Sequence, residues 1–148
     1  MKLTFKLLFT VCLLCGFSGA AQEKKVKIKK VAFYNLEKLF ETINDPRKAD
    51  EKSPMMDIKK NRSEIYWKKI NNMARVLAAI GKNKKYGIKD SPAIIGVVEI
   101  ENNDVLVDLI NNTHLKDLNY GIIHYESPDA RGIDVALLYR KNMFKPLE

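Results

Sequence analysis

Pro92-Ala93-Ile94-Ile95-Gly96-Val97-Val98-Glu99-Ile100-Glu101-Asn102 is the stretch on which the fold turns. Its short run of apolar, β-branched residues is apolar at successive positions, so it reads as a strand buried between two layers. The run ends abruptly in carboxylates, with Glu99 where the strand surfaces. Two readings of Glu99 stand side by side on this stretch alone. It marks a strand leaving the core, or it is an acid held rigidly at a strand end, where chemistry gathers in layered α/β folds.

Upstream, Val26 to Tyr34 alternate lysines with Val26, Ile28, Val31 and Phe33, the pattern of a strand that becomes buried toward its end. Asn35 follows directly. Its amide both donates and accepts, which suits holding a carboxylate or phosphate oxygen, and equally suits closing a strand into a turn. Leu36 to Phe40 reads as a short helical turn, and Glu41 to Met56, with Asp45-Pro46 and Ser53-Pro54, as an irregular loop. A helix is expected from Asp57 or Asn61 to Gly81, with Tyr66, Ile70, Met73, Leu77 and Ile80 as its apolar stripe. Asn61 and Glu64 have capping-box spacing, Gly81 suits a helix stop, and Trp67 reads as packing. A lysine-rich turn, Lys82 to Lys85, then leads into the quoted strand.

Downstream, Asn102 or Asn103 caps a second helix over Asp104 to Asn111, with Val105, Leu106, Leu109 and Ile110 facing inward. Tyr120 to Tyr125 and Ile133 to Tyr139 read as strands joined into a hairpin by Ser127-Pro128-Asp129-Ala130-Arg131-Gly132. The order β-α-β-α-β-β is that of a layered α/β fold. His114 and His124 have no Cys or second His at ligand spacing, and read as a surface and a strand histidine.

The chain opens with Lys2 and Lys6, an apolar run from Leu7 to Phe17 and small residues at Ser18 to Ala21, the pattern of a secretory signal peptide over residues 1–21. Residues 22–148 form one domain on this reading, exported to the periplasm or secreted. No other stretch approaches the ~20 apolar residues of a membrane span. Cys12 and Cys15 both lie in the leader, so the remainder has no disulfide and depends on a packed core. Removing Lys2 and Lys6 from the 26 basic residues leaves 24 against 18 acids, a net charge of +6 that favours a polyanionic partner. Much of that charge lies in Lys24-Lys25-Val26-Lys27-Ile28-Lys29-Lys30, a pattern more typical of a solvated arm than of a binding site.

Three segments together resemble the endonuclease/exonuclease/phosphatase superfamily, the metal-dependent phosphoesterases related to pancreatic-type deoxyribonuclease. They are Phe33-Tyr34-Asn35-Leu36-Glu37, Gly96-Val97-Val98-Glu99-Ile100-Glu101-Asn102, and Arg131-Gly132-Ile133-Asp134-Val135-Ala136-Leu137-Leu138-Tyr139. The resemblance covers Val31 to about Phe144 and implies a layered α-β-β-α sandwich of which the first half is present. It implies Glu99 as a metal ligand, Asn35 as an active-site residue beside metal and phosphate, and Glu37 in the metal's outer shell. Arg131 at the turn tip suits a bidentate contact to a phosphate of the substrate. The implied cofactor is magnesium or manganese, and the implied substrate a phosphodiester, nucleic acid among the possibilities. Asp134, a carboxylate in an apolar strand, needs a partner, for which Arg131 or Arg140 is expected.

The resemblance also implies a Gly-Asp-x-Asn and a terminal Ser-Asp-His that the sequence to Glu148 does not contain. The expectation is a truncated phosphodiesterase, inactive alone, whose uncovered sheet face awaits the missing half or self-associates. The competing reading is a non-catalytic, exported basic module that binds polyanions.

Overall fold

The computed structural model describes residues 29–47, 51 and 53–147. The leader reading of residues 1–21 and the start of the first strand at Val26 fall outside these. Four strands, β1 (Val31–Leu39), β2 (Ile94–Ile100), β3 (Tyr120–Tyr125) and β4 (Asp134–Arg140), form one sheet in the order β1-β2-β4-β3. β1 and β2 are parallel, joined through helix α1 (Arg62–Ala79); β4 runs antiparallel to both β2 and β3. Helix α2 (Asn103–Asn111) connects β2 to β3, so the expected element order and the β3–β4 hairpin are observed.

Both helices lie on one face of the sheet. Ile95 and Val97 of β2 alternate with Gly96 and Val98, and the first pair joins Ala136, Leu138, Ile70, Leu77, Leu106 and Leu109 in one apolar core. Burying such side chains stabilises the fold by about 1.5–3 kcal/mol each. Of the expected stripe of α1, Tyr66, Ile70 and Leu77 are buried, while Met73 and Ile80 pack at its margin. Tyr66 Oη donates to Asp108 Oδ2 of α2 at 2.7 Å, tying the helices together. Trp67 is about half exposed, its ring edge-on to Tyr66.

Among the described residues, no helix lies on the opposite face. Register places Val31, Ile94, Tyr139 and Gly121 in one row across the strands, and Phe33, Gly96, Leu137 and Ile123 in the next. Phe33 lies over Gly96 and Tyr139 over Gly121, so a side chain at either glycine would collide with the neighbouring ring. Phe33 is nevertheless 72 % exposed, and Val31 73 %.

The helix ends differ from each other in a way the sequence only half announces. Asn102 accepts the Asp104 and Val105 N–H groups on Oδ1 and caps α2 as expected. Asn61, by contrast, sits in the left-handed region at φ 55° and makes no side-chain cap, so the capping-box reading fails. Its side chain cannot face the first-turn N–H groups from that backbone conformation, whereas an Ncap needs extended backbone. Gly81, just past Ile80, adopts φ 69° as a helix stop requires. From there, Ser91 Oγ donates to Ala78 O at 2.8 Å and anchors the entry to β2 on the end of α1. Tyr120 Oη donates to Pro92 O, and burial pushes this phenol up to about 12.

Candidate functional site at the strand ends

β1 and β2 finish on the same edge of the sheet, with Asn35 in register with Val98, the residue before Glu99. Both exits are irregular. Between the pairs Asn35↔Val98 and Leu39↔Ile100, β1 advances four residues while β2 advances two. On β2, Glu99 is the extra residue opposite β4, lying between Val98↔Val135 and Ile100↔Asp134. The bulges bring Leu39 and Ile100 onto the helix-covered face, where both are fully buried, although strict alternation would turn them outward. Residues with charged side chains take up the distortion. Glu37 and Lys38 have φ 52° and 56°, and Glu99 has φ 59°.

The short helical turn expected over Leu36 to Phe40 is therefore not formed. In its place β1 continues to Leu39 through two successive left-handed residues. Asn35 Oδ1 accepts the Glu37 N–H at 2.6 Å, closing the turn from the strand side. From α1, Lys69 Nζ donates to the Glu37 and Lys38 carbonyls at 2.5 and 2.9 Å, closing it from the helix side. Burial lowers the Lys69 ammonium pKa, and the charges of Glu37 and then Glu99 oppose that shift. Lys69 was not singled out in the sequence, because nothing in the helix pattern separates it from the neighbouring solvent-facing Lys68.

Arg131 stands at the same edge but is already engaged. Its Nη2 meets Asp129 Oδ2 at 2.6 Å, and its Nε and backbone N–H reach Oδ1 at 3.0 and 2.9 Å. These bonds hold the Asp129 carboxyl down at about 2 and raise the Arg131 guanidinium, to which Glu99 adds a smaller pull. Arg131, Lys38, Phe40, Pro54 and Ile133 line a cleft of about 360 Å³.

Asp134 is paired with neither Arg131 nor Arg140. It is buried, with Oδ2 2.9 Å from His124 Nε2 and Oδ1 accepting the Ser127 N–H at 2.8 Å. The hairpin register explains the choice: His124 is opposite Ala136, two residues from Asp134 on the same face, a diagonal that a long side chain spans. His124 is thus a structural partner as well as a strand histidine. Glu101, just past the end of β2, is buried, and its Oε2 accepts the Glu41 N–H at 2.6 Å; Glu41 Oε1 in turn accepts from Asn102 Nδ2 at 2.9 Å. Glu41, Asp45, Glu101, Asn102, His124 and Glu126 surround a polar cleft of about 530 Å³, the larger of the two. It contains none of Asn35, Glu37, Glu99 or Arg131, so size alone points away from the strand-end edge.

Among the described residues, no three His, Cys, Asp or Glu side chains stand together as a ready ligand set. Magnesium asks for less, since it is commonly held through one or two carboxylates together with substrate phosphate and water. Glu99 and Glu37 carry oxygen donors of the type magnesium takes, and both carboxylates act electrostatically on the Lys69 ammonium.

The profile of the Endonuclease/Exonuclease/phosphatase family matches residues 30–148, and the chain belongs to that family. The match places it among nuclease-type phosphoesterases, a metal-dependent hydrolase class. No curated protein and no solved structure gives a significant match.

Proposed function

We propose that Asn35, Glu99 and Glu37 form the acidic part of the active site of an exported, magnesium- or manganese-dependent phosphodiester hydrolase of nuclease type. The observation that carries this reading is the concentration of backbone strain. Three of the five left-handed non-glycine residues among the described residues, Glu37, Lys38 and Glu99, lie at two adjacent strand exits. Each such residue costs roughly 1–2 kcal/mol, and strain of this kind persists at sites where a side chain must be aimed.

Glu99, with Glu37 beside it, would hold the divalent ion. Bound there, the ion supplies Lewis-acid polarisation of a phosphoryl oxygen. The chain's own groups do the positioning. Asn35 has its Oδ1 fixed by the Glu37 N–H, which leaves Nδ2 to donate to a phosphate oxygen. Arg131 has Nε and Nη2 taken by Asp129, which fixes the guanidinium plane and leaves Nη1 for a second oxygen. Lys69 holds the Glu37-Lys38 turn in place. None of these groups is a general acid or a group that orients a nucleophile, and loss of such groups lowers rates by about 10²–10⁴. The chain alone is therefore expected to turn over negligibly; its net positive charge suits an anionic phosphodiester, nucleic acid among them.

The test uses residues 22–148 with magnesium or manganese, against single- and double-stranded DNA and a chromogenic phosphodiester. Background cleavage together with manganese binding that is lost in Glu99→Ala is the expected result. Robust Glu99-dependent turnover would show a complete site in this chain, and manganese binding indifferent to Glu99→Ala would sink the assignment.

A further inference from the structure

The connection from α1 to β2 is exposed along its whole length, Gly81 to Asp90, and yet it is held in one shape by its own hydrogen bonds. Asn83 and Ile88 exchange both backbone bonds at 2.9 Å. Asn83 Oδ1 accepts the Lys85 N–H at 3.0 Å, and the Gly87 N–H donates to Lys84 O at 3.2 Å, with Gly87 at φ 67° closing the turn. Lys30 Nζ, at the entry to β1, donates to both Gly81 O and Asp90 O and so pins the two ends of the loop together. A side chain at Gly87 would meet nothing within 4 Å, which means that the tip stands clear of the fold.

What this loop presents is selective. Lys82 to Lys89 contains four lysines, no carboxylate and two large apolar side chains, Tyr86 at 68 % exposure and Ile88 at 41 %. Lys85 Nζ stands 5.5 Å from the centroid of the Tyr86 ring. The geometry points to a binding site for single-stranded nucleic acid, in which Tyr86 stacks on an unpaired base while Lys82, Lys84 and Lys89 hold the flanking phosphates. An open ring set among cations recognises a single strand whatever its sequence, because every base has a π face and every linkage a negative charge. A duplex keeps its base faces in its own stack and has none to give to Tyr86. An anionic membrane fits less well, since one ring and one partly exposed Ile88 make a much smaller apolar face than surface-seeking segments bury.

The loop leaves the sheet where β2 begins, whereas Glu99 lies near the other end of that seven-residue strand, roughly 20 Å away. The site is therefore distinct from the strand-end corner and depends neither on a metal there nor on hydrolysis. Contacts from three lysines give binding on the order of 10–100 μM and a log–log salt slope of about −2, the value for a single strand that loses about three counterions.

Fluorescence anisotropy of a labelled single strand, titrated with residues 22–148 in EDTA between about 50 and 200 mM salt, tests this without interference from cleavage. The expected result is tighter binding of the single strand than of a duplex of equal length. Tyr86→Ala weakens binding about fivefold or more with the salt slope unchanged, and Tyr86→Trp preserves it. Lys84→Ala with Lys89→Ala lowers the slope by about 1.4, while Lys59→Ala with Lys60→Ala, which removes the same charge from an exposed segment before α1, leaves the slope as it was. Circular dichroism checks that each variant is folded, and manganese binding is expected to be the same in all of them. Preference for the duplex, indifference to Tyr86→Ala, or equal losses in the two lysine pairs overturns the inference, the last by reducing it to net charge. So does Tyr86-dependent recruitment to anionic vesicles without binding of the oligonucleotide, which would assign the loop to a lipid surface.

Discussion

On the helix-covered face, Ile95, Val97 and Leu138 are closed over by Ile70, Leu77, Leu106 and Leu109, while on the reverse of the same strands Phe33, Val31 and Val135 stand open. The polar groups divide the same way. Asp134 is buried on the covered face and Glu101 just past the end of β2, each within a hydrogen-bonded network, whereas Asn35 sits on the open face with its Nδ2 still to offer. A strand that reads as apolar on both sides is thus built for two different purposes. One side stabilises the domain, and the other stands open among the described residues and carries the corner at which Asn35 lies. The bulges at Glu37-Lys38 and Glu99 are where the two requirements are reconciled: Leu39 and Ile100 go to the core, and Glu37, Lys38 and Glu99 take the left-handed corners.

The contrast is broken most easily by truncating one residue on each face. Leu106→Ala should cost about 2–5 kcal/mol in urea unfolding, as for other buried leucines. Phe33→Ala should cost less than about 1 kcal/mol, since its ring is already largely in water. Equal losses would mean that something other than the helices covers the second face within one chain.

The covered polar network is tested next. Asp134→Ala leaves His124 and the Ser127 N–H without their carboxylate, and should destabilise by about 2–3 kcal/mol. Arg131→Ala, by contrast, removes an exposed, solvent-screened turn pair and should move stability far less than Asp134→Ala does. If the two effects were reversed, the pairing of Asp134 with His124 would be the wrong description.

A smaller effect of opposite sign is expected at the strained corner. Glu99→Gly relieves a left-handed backbone and should stabilise the fold by up to about 1 kcal/mol while removing manganese binding. A stability loss in thermal unfolding would show that Glu99 is held by contacts and is not under strain.

The pH response of the turn is the smallest. The folded pKa of Asp129 is depressed to about 2, so the contribution of its pair with Arg131 is present above the ordinary carboxylate pKa and is lost as pH falls through about 2. Carbon-13 shifts of the Asp129 carboxyl group should therefore stay flat from neutral pH to about pH 3 and change below it. A midpoint near pH 4 would mean that Arg131 swings free.

The residues that set this architecture were unequally visible in the sequence. The apolar run ending at Glu99, the Asn102 cap and the hairpin around Asp129 follow from periodicity and turn chemistry, which act locally. The bulges do not, because Glu and Lys have no preference for left-handed backbone; only the need to bury Leu39 and Ile100 from both sides of the pairing forces it. The partner of Asp134 was hidden for a related reason. Its need for a partner was legible, but the choice of His124 over Arg131 or Arg140 depends on hairpin register. Lys69 carries no sequence mark at all, since its role arises from where α1 crosses the exit of β1.

The central claim, that the open strand-end corner binds the metal and the larger acidic cleft does not, is tested most directly by manganese titration followed through amide proton broadening. Broadening is expected to centre on Asn35, Glu37 and Glu99, to strengthen with a phosphodiester analogue and to be lost in Glu99→Gln. Broadening centred instead on Glu41, Glu101 and Glu126, and unchanged in Glu99→Gln, would contradict it.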